Sequence, residues 1–336
     1  MKVGVAGAGL VGRLLAWRLA RAGHAVTVCD TSPGPAQAQC AAAGFTAAGL
    51  LSPVAELDCG DARVAELGWR SLRLWPRWLD ELQRPVHFTR RGSLLLAHPG
   101  DRGSAERLLA RIAAQDPARL PLALASEELQ VRERALHKGL LGWHVAGEGL
   151  IHTPQAMNAL FAAGCAQGVE WRWGHPVREV AAGRLDQLGF DHAIDARGTG
   201  ARPELPVRGV RGELHWLHAP GLVLRHPLRL LHPRHRVYLV PRPGDLLVVG
   251  ASEVESEDRS PVSLRSSLEL LSAAHSVLPE LAEARVVHSE TNLRPALPDN
   301  GPLLHRQPGL TRINGLFRHG WLVAPALVAQ AVEALE

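Results

Sequence analysis

The sequence predicts an α/β fold in which a domain built on a parallel sheet is interrupted by a second domain built on an antiparallel sheet. Residues 1–30 read as strand, glycine turn, amphipathic helix and strand, and another strand leads into a glycine turn at residues 190–200. A series of strand-like segments separated by loops rich in Pro, Gly and Arg spans residues 207–251. The first two features indicate β-α-β units and the third indicates an antiparallel sheet. Because no long linker separates them, we expect the second domain to be inserted into the first.

The N-terminal unit begins at the first residues of the chain. Val3 to Ala6 is a short apolar strand, Leu10 to Ala22 has helical spacing of apolar residues, and Ala25 to Cys29 is a second strand. This order predicts two parallel strands joined by a helix.

Further helices are predicted from apolar spacing and from start and stop signals. Pro76 is expected to break or kink the first of them, and the third has Thr153 as its N-cap with Pro154 at the first helical position. The predicted helices cover residues 62–82, 105–114, 154–167 and 263–278, and a final helix follows Pro325.

Further strands are predicted from short apolar or alternating runs. Residues 86–97 read as two strands joined by a turn at Gly92. The other predicted strands are residues 169–180, 190–195, 207–217, 221–225, 236–240 and 246–251.

Composition excludes several classes of protein. The chain has 336 residues, of which 46% are hydrophobic and 21% are charged, so it can bury a sizeable core and is not predominantly disordered. Its net charge is +4 and its arginines are scattered, so no nucleic-acid partner is expected. It lacks both the apolar run of a membrane span and the pattern of a signal peptide, and we therefore expect a cytoplasmic location.

The spacing of the cysteines and histidines does not indicate a metal site. Cys29, Cys40, Cys59 and Cys165 are far apart with no C-x-x-C pair, so we expect them to be reduced and mostly buried. Two histidine pairs have H-x-x-H spacing, His215 with His218 and His232 with His235. Neither pair has a third ligand nearby, and Pro233 keeps the second pair off a regular helix.

The glycine turn after the first strand has the spacing of a dinucleotide fingerprint, G-x-G-x-x-G. Gly7 permits a tight turn, Gly9 lets the backbone approach a pyrophosphate, and Gly12 lets helix and strand pack closely. The next strand ends at Asp30, which would accept hydrogen bonds from a ribose hydroxyl. We therefore expect nucleotide binding here, with Leu10 and Val11 also in contact with the cofactor.

The fingerprint alone leaves NAD and FAD open. Its position at the N-terminus and the recurrence of glycine turns near Gly198 and Gly320 favour FAD. An extended flavin cofactor needs contacts from parts of the chain that are distant in sequence.

Taken in order, these segments resemble the D-amino-acid oxidase superfamily, and most closely its glycine oxidase branch, which is associated with thiamine biosynthesis. The resemblance covers nearly the whole chain. Besides the fingerprint, it is carried by residues 44–53, 90–94, 206–213, 231–234, 238–242, 249–252, 293–300 and 314–325.

The resemblance implies an FAD-binding Rossmann-type domain, similar to that of glutathione reductase, formed by residues 1–82, 139–206 and 300–336. It implies a substrate domain formed by residues 83–138 and 207–299. Arg294 would clamp a substrate carboxylate, Tyr238 would hydrogen-bond to it, and Arg318 would lie near the same pocket. Further expected FAD contacts are Thr46, Ala47, Ala48, Gly49, Leu50, Val177, Ala196, Gly198, Arg318, His319, Gly320, Trp321 and Leu322.

The residues themselves support two of these roles. A planar guanidinium between Leu293 and Pro295 suits bidentate recognition of a carboxylate, although a surface salt bridge is the plainer interpretation of Arg294 alone. Tyr238 is the only tyrosine in a chain with nine tryptophans, and without the family it would read as a core aromatic.

The sequence also departs from the family pattern. Ala47-Ala48 stands where Gly-Gly is common, which adds methyl groups near the flavin. No cysteine follows Cys165, so we expect the FAD to be non-covalent.

The resemblance implies oxidative deamination of glycine or another small amine or amino acid to an imine and an oxo acid, with O₂ reduced to H₂O₂. Such a reaction could supply the synthesis of the thiamine thiazole. The alternatives are a dehydrogenase that uses another electron acceptor or acts on a larger or peptide-borne amine, and a flavin-binding maturation partner without turnover. An NAD-dependent dehydrogenase is a further alternative. The family also implies a homo-oligomer, a dimer or a tetramer.

Overall fold

The computed structural model describes residues 1–57, 62–232 and 236–336. Cys59, Pro233, Arg234 and His235 lie outside the described residues, and with them one member of the second histidine pair and part of the segment 231–234. The helices of the described residues are α1 (Leu10–Arg21), α2 (Pro53–Glu56), α3 (Ala62–Asp80), α4 (Arg102–Gln115), α5 (Ser126–Arg132), α6 (Thr153–Ala166), α7 (Leu264–Val277) and α8 (Gly320–Glu333).

The strands divide among two large and two small sheets. In chain order they are β1 (Lys2–Ala6), β2 (Ala25–Asp30), β3 (Leu50–Leu51), β4 (Phe88–Thr89), β5 (Ser93–Ala97), β6 (Leu122–Leu124), β7 (Leu141–Val145), β8 (Gly149–Ile151), β9 (Glu170–Trp173), β10 (Val180–Ala181), β11 (Arg184–Leu185), β12 (Leu188–Gly189), β13 (His192–Asp195), β14 (Arg208–His218), β15 (Leu228–Leu231), β16 (Arg236–Arg242), β17 (Leu246–Gly250), β18 (Arg285–Ala296), β19 (Leu303–Gln307) and β20 (Leu310–Asn314).

The first large sheet has six strands in the order β19-β20-β13-β1-β2-β9. All neighbours are parallel except β19 and β20, so β1, β2, β13 and β20 end at the same edge. Helices α1, α6 and α8 bury their apolar residues in the same core as β1 and β2. The predicted β-α-β unit and α/β fold are confirmed, and the carboxyl edge of this sheet is where such folds bind nucleotides.

The second large sheet has eight strands in the order β18-β14-β17-β16-β15-β5-β7-β6. Its neighbours are antiparallel except β15 and β5, which run parallel. Most of these strands come from residues 83–138 and 207–299, whereas β7 comes from the segment assigned to the FAD-binding domain. The exact division into domains stays a prediction.

The last helix begins earlier than the sequence predicts. It starts at Gly320 and continues through Pro325, which was expected to precede it. Proline has no N–H to donate to the carbonyl four residues back, which here belongs to Trp321. The indole Nε1 of Trp75 donates to that carbonyl at 3.0 Å, so the missing bond is replaced. Helix α3 likewise continues through Pro76 rather than ending there.

Three local predictions are also corrected. The N-cap of α6 is His152, whose Nδ1 accepts from the backbone of Gln155 at 3.5 Å, because Thr153 donates its hydroxyl to the Ala47 carbonyl at 2.6 Å instead. Residues 221–225 form no strand, and β15 lies three residues further on. Residues 86–97 form no hairpin, because β4 pairs with β8 while β5 pairs with β7 and β15.

Strand β18 was not predicted at all. Its first five residues, Arg285–Ser289, are exposed at the edge of the sheet, so they lack the alternation that marks a half-buried strand. No helix in the described ranges is both long and apolar enough to cross a membrane.

Candidate functional site

A cavity of about 1330 Å³ runs along the carboxyl edge of the six-stranded sheet and onto the eight-stranded sheet. Gly7 and Asp30 line one end of it, and Arg294 and Tyr238 line the other. The single space therefore joins the predicted nucleotide contacts to the predicted carboxylate clamp.

The turn after β1 depends on glycine at two positions. Gly7 has φ +103°, and a Cβ there would lie 2.5 Å from the Ala196 carbonyl oxygen. A Cβ on Gly12 would lie only 1.8 Å from the Gly7 carbonyl oxygen. Gly12 itself does not line the cavity, so its role is to let α1 pack against the turn.

Gly9, Leu10 and Val11 line the cavity where α1 begins. Gly9 is the N-cap, and no side chain caps the helix or places an acid in its first turn. A Cβ on Gly9 would have only Ala42 Cβ within 4 Å, at 3.7 Å, so this glycine faces open space. An uncapped helix N-terminus beside open space suits an anionic group such as a pyrophosphate.

Asp30 lies at the end of β2 and is oriented by two backbone amides. Its Oδ2 accepts from Ala8 at 2.6 Å and its Oδ1 accepts from Ser32 at 2.8 Å. Each carboxylate oxygen retains a further lone pair for a ribose hydroxyl. Gly7, Gly9 to Val11 and Asp30 therefore meet at one end of the cavity, whereas Gly12 lies outside it.

Most of the other predicted cofactor contacts also line the cavity. They are Thr46, Ala47, Ala48, Gly49, Leu50, Val177, Ala196, Gly198, Arg318, Gly320, Trp321 and Leu322. His319 is the exception: it is buried and does not line the cavity, and its Nδ1 lies 3.1 Å from Oε2 of Glu56, which does.

The segment from Thr46 to Leu50 is fixed from the side away from the cavity. The Ala47 carbonyl accepts from Thr153, and the Ala48 carbonyl accepts from the buried guanidinium of Arg242. Burial lowers the pKa of Arg242 to about 9. Gly49 has φ +64°, and a Cβ there would lie 2.1 Å from the Ile151 carbonyl oxygen. These contacts hold the segment in one conformation.

Helix α8 presents a second uncapped N-terminus to the cavity. Its N-cap is His319, without a side-chain cap hydrogen bond, and Gly320, Trp321 and Leu322 line the cavity. The early start of this helix therefore places backbone amides, rather than a loop, against the expected position of the flavin ring.

At the other end, Arg294 and Tyr238 lie side by side on β18 and β16. Nη1 of Arg294 donates to the Ser252 carbonyl at 2.9 Å and, more weakly, to the Arg211 carbonyl at 3.4 Å. The guanidinium lies over Gly212, where a Cβ would be 2.5 Å from its Cζ. Tyr238 packs in the same way over Gly250, where a Cβ would lie 2.8 Å from its hydroxyl oxygen.

Burial dominates the electrostatics of this pair. It lowers the pKa of Arg294, with Tyr238 and Glu253 acting in the opposite sense. It raises the pKa of Tyr238, which the cations of Arg294 and Arg242 oppose. Tyr238 is therefore a neutral hydrogen-bond donor at neutral pH, and no carboxylate of the described residues forms a salt bridge with Arg294.

Arg318 lies near the same end but is bound by two carboxylates. Its Nη2 lies 3.0 Å from Glu56 Oε2, and its Nη1 lies 3.4 Å from Glu253 Oε2. Sequence reasoning missed both glutamates. Neither belongs to a recognisable motif, since each meets Arg318 only through the tertiary fold.

A further buried acid, Glu148, supports the cavity wall from behind. Its Oε2 accepts from the hydroxyls of Ser52 and Ser93 at 2.5 Å each, and its Oε1 accepts from the Val54 amide at 2.9 Å. Burial raises its pKa to about 7, although the two serines and Val54 oppose the shift. These bonds anchor the start of α2, whose last residue is Glu56.

The described residues offer no metal site: no group of three His, Cys, Asp or Glu is arranged to hold one. His215 is instead paired through Nδ1 with Ser289 Oγ at 2.8 Å.

The cavity fits an extended dinucleotide such as FAD. Gly9 to Val11 would hold the pyrophosphate, Asp30 a ribose, and residues 46–50 and 320–322 the flavin ring. When bound, FAD would supply the acceptor for a hydride, that is, for two electrons and a proton. Arg294 and Tyr238 lie beyond the segments assigned to the ring, where they can orient a small carboxylate.

Comparisons with known proteins identify the family of this chain. The family model of FAD-dependent oxidoreductases named DAO matches residues 2–334. The thiamine biosynthesis oxidoreductase ThiO of Rhizobium etli is 34% identical to this chain over 340 residues. The match covers 100% of this chain and 96% of that protein. A glycine oxidase of Geobacillus kaustophilus is 26% identical over 362 residues, covering 99% of this chain and 93% of the relative.

A solved structure gives the same result for the fold. The crystal structure of glycine oxidase from Geobacillus kaustophilus superposes with a TM-score of 0.86 at 23% identity, covering 99% of this chain and 94% of that one. The predicted fold class, the FAD cofactor and the family resemblance are confirmed. The chain belongs to the DAO family of FAD-dependent oxidoreductases.

Proposed function

We propose that this protein oxidises glycine or another small amino acid or amine to its imine, while O₂ is reduced to H₂O₂. Water then converts the imine to ammonia and a carbonyl compound, which is an oxo acid when the substrate is an amino acid. The observation that carries the proposal is the position of Arg294. Its partly buried guanidinium faces the cavity beside Tyr238 and has no carboxylate partner among the described residues. A buried cation without a counter-ion is costly, and an anionic substrate removes that cost.

The donors at this end suit a carboxylate. Arg294 Nη1 is tied to backbone carbonyls, which fixes the plane of the guanidinium while other N–H groups remain for the ligand. A planar guanidinium binds a carboxylate through two parallel hydrogen bonds, and the neutral Tyr238 hydroxyl adds another donor.

Two-point binding orients the reacting carbon. With its carboxylate held by Arg294 and Tyr238, a small amino acid with a neutral amine presents its α-hydrogen towards the ring position assigned to residues 46–50 and 320–322. In this scheme the protein binds and orients the substrate and excludes water, and no general base is assigned.

The named relatives favour glycine and a link to thiamine. The similar proteins include glycine oxidases and the thiamine biosynthesis oxidoreductase of Rhizobium etli. We therefore propose that the product supplies the synthesis of the thiamine thiazole.

The test is to purify the yellow protein, identify its flavin, and mix it without oxygen with glycine, sarcosine and D-alanine. We expect glycine to bleach the flavin absorbance and, in air, to give oxygen uptake with an equal amount of H₂O₂. Failure of every amine to bleach the flavin would refute the proposal. Bleaching without oxygen uptake would instead indicate a dehydrogenase with another acceptor.

Three further properties are proposed with this function. The FAD is bound non-covalently, so acid precipitation of the protein should release it. The enzyme works in the cytoplasm, and it forms a homo-oligomer, which light scattering would measure. The residue roles and the domain boundaries given above are part of the same proposal.

A further inference from the structure

Two arginines at the substrate end of the cavity, Arg318 and Arg294, differ in whether a protein carboxylate neutralises them. Arg318 is held between Glu56 at 3.0 Å and Glu253 at 3.4 Å, whereas Arg294 contacts backbone carbonyls and Tyr238. Arg229 also lines the cavity and acts on the charge of Glu56. Arg318 is thus already paired with two protein carboxylates, whereas Arg294 keeps N–H groups for an added carboxylate.

Glu253 differs from Glu56 in its exposure to the cavity. Both line the cavity, but the side chain of Glu56 is only 15% exposed, whereas that of Glu253 is 47% exposed. Its backbone follows Ser252, whose carbonyl accepts from Arg294. The charge of Glu253 is close enough to act on the Arg294 guanidinium. A ligand on Arg294 therefore lies within reach of a negative charge.

We infer that Glu253 is a specificity residue that admits monocarboxylate amino acids and rejects substrates with a second carboxylate. The inference rests on the proposed function in one respect, namely that Arg294 binds the substrate carboxylate. Glu253 acts in two ways. It repels a second anionic group directly, and it occupies Nη1 of Arg318, the cation that would otherwise bind that group.

The expected size of the effect is moderate. Two like charges in a partly exposed site repel each other by an amount that corresponds to about tenfold in affinity. Because Glu253 is half-exposed, salt should screen part of this effect.

The experiment compares the binding of glycolate and malonate, two unreactive carboxylates, to the purified flavoprotein, measured from the change in flavin absorbance. The wild-type protein should bind glycolate about tenfold more tightly than malonate. In Glu253→Gln that preference should disappear, because the repulsion is removed and Arg318 can take the second carboxylate.

Glu257→Gln is the matched control. Glu257 lies in the same loop and has a similar exposure of 44%, but it pairs with Arg202 and does not line the cavity. The substitution changes the net charge equally and should leave the glycolate preference at its wild-type value. Raising the ionic strength should weaken the preference in the wild type and in this control.

Turnover provides a second measurement. If glycine is a substrate, Glu253→Gln should raise kcat/KM for D-aspartate relative to glycine by about tenfold, and Glu257→Gln should not. An unchanged glycolate preference in Glu253→Gln, or an equal change in both variants, would overturn the inference. If glycolate binds with the expected preference but no amine reduces the flavin, the proposed reaction fails while this inference stands.

Discussion

Glu56 and Arg318 join two segments that are 262 residues apart in the sequence, with Oε2 of the glutamate 3.0 Å from Nη2 of the arginine. Burial would raise the pKa of Glu56, but the neighbouring His319, Arg318 and Arg229 hold it well below its usual value. The carboxylate is thus ionised and belongs to the cavity wall. In this structure Arg318 therefore forms ion pairs with protein carboxylates. Its role in binding or orienting the substrate stays a prediction.

The first prediction concerns the clamp. Arg294→Lys keeps a positive charge but loses the planar fork, so the affinity for glycolate should fall by about tenfold, and Arg294→Gln should lower it by roughly a hundredfold. Flavin titrations with glycolate would measure both. An equal flavin content in the three proteins would show that the fold is kept. Wild-type affinity in Arg294→Gln would disprove the clamp.

The second prediction isolates the phenol. Tyr238→Phe removes one neutral hydrogen bond to the ligand while the ring still packs over Gly250, so glycolate binding should weaken by about fivefold. The effect should be smaller than that of Arg294→Gln in the same titration. Because Tyr238 is the only tyrosine in the chain, the variant has no phenol left, and intact-protein mass spectrometry would confirm the substitution. An affinity equal to that of the wild type would remove Tyr238 from the binding site.

The third prediction separates two glycines of the fingerprint. Gly9→Ala should fold normally, because its Cβ would contact only Ala42 at 3.7 Å, yet the methyl group would obstruct the approach of the pyrophosphate. We expect low flavin content with an unchanged far-ultraviolet circular dichroism spectrum.

Gly12→Ala is the contrasting variant. Its Cβ would lie 1.8 Å from the Gly7 carbonyl oxygen, so it should lower the melting temperature of the apoprotein itself. Full flavin content in Gly9→Ala would contradict the assignment.

These predictions depend on parts of the site that the sequence could reveal to different degrees. The fingerprint is a local pattern, in which strand, turn, helix and acid follow one another within thirty residues, so Gly7 to Asp30 could be placed from periodicity and turn chemistry. The roles of Arg294 and Tyr238 came from the family resemblance, because nothing local distinguishes them from a surface arginine and a core tyrosine.

What the sequence could not provide were contacts between distant segments. Pro325 indicated a helix start after residue 325, whereas α8 begins at Gly320 and continues through Pro325, where the indole of Trp75 replaces the hydrogen bond that proline cannot make. Glu56 and Glu253 reach Arg318 across 262 and 65 residues respectively. Isolated glutamates of this kind carry no spacing signal, so their part in the site follows from the tertiary fold alone.

The fourth prediction concerns Glu148 and the pH dependence of stability. The pKa of the Glu148 carboxyl group is about 4.5 in an unfolded chain and about 7 in the folded protein. Between these two pH values the unfolded chain has lost the carboxyl proton, whereas the folded protein still holds it. Stability from this group is therefore complete at low pH and is lost as pH rises through 7, by about 3 kcal/mol in total. His152 acts in the opposite sense, because burial and the nearby Arg242 lower its pKa to about 4.

Glu148→Gln isolates the contribution of that carboxyl group. The variant cannot ionise, so its unfolding free energy in urea, measured at saturating FAD from pH 5 to pH 8, should lack the decline that Glu148 adds to the wild type. Ser93→Ala tests the direction, since removing a hydrogen bond that favours the charged form should raise the pKa of Glu148 further and extend the decline to higher pH. Parallel pH profiles for wild type and Glu148→Gln would show that the buried carboxyl does not titrate in this range.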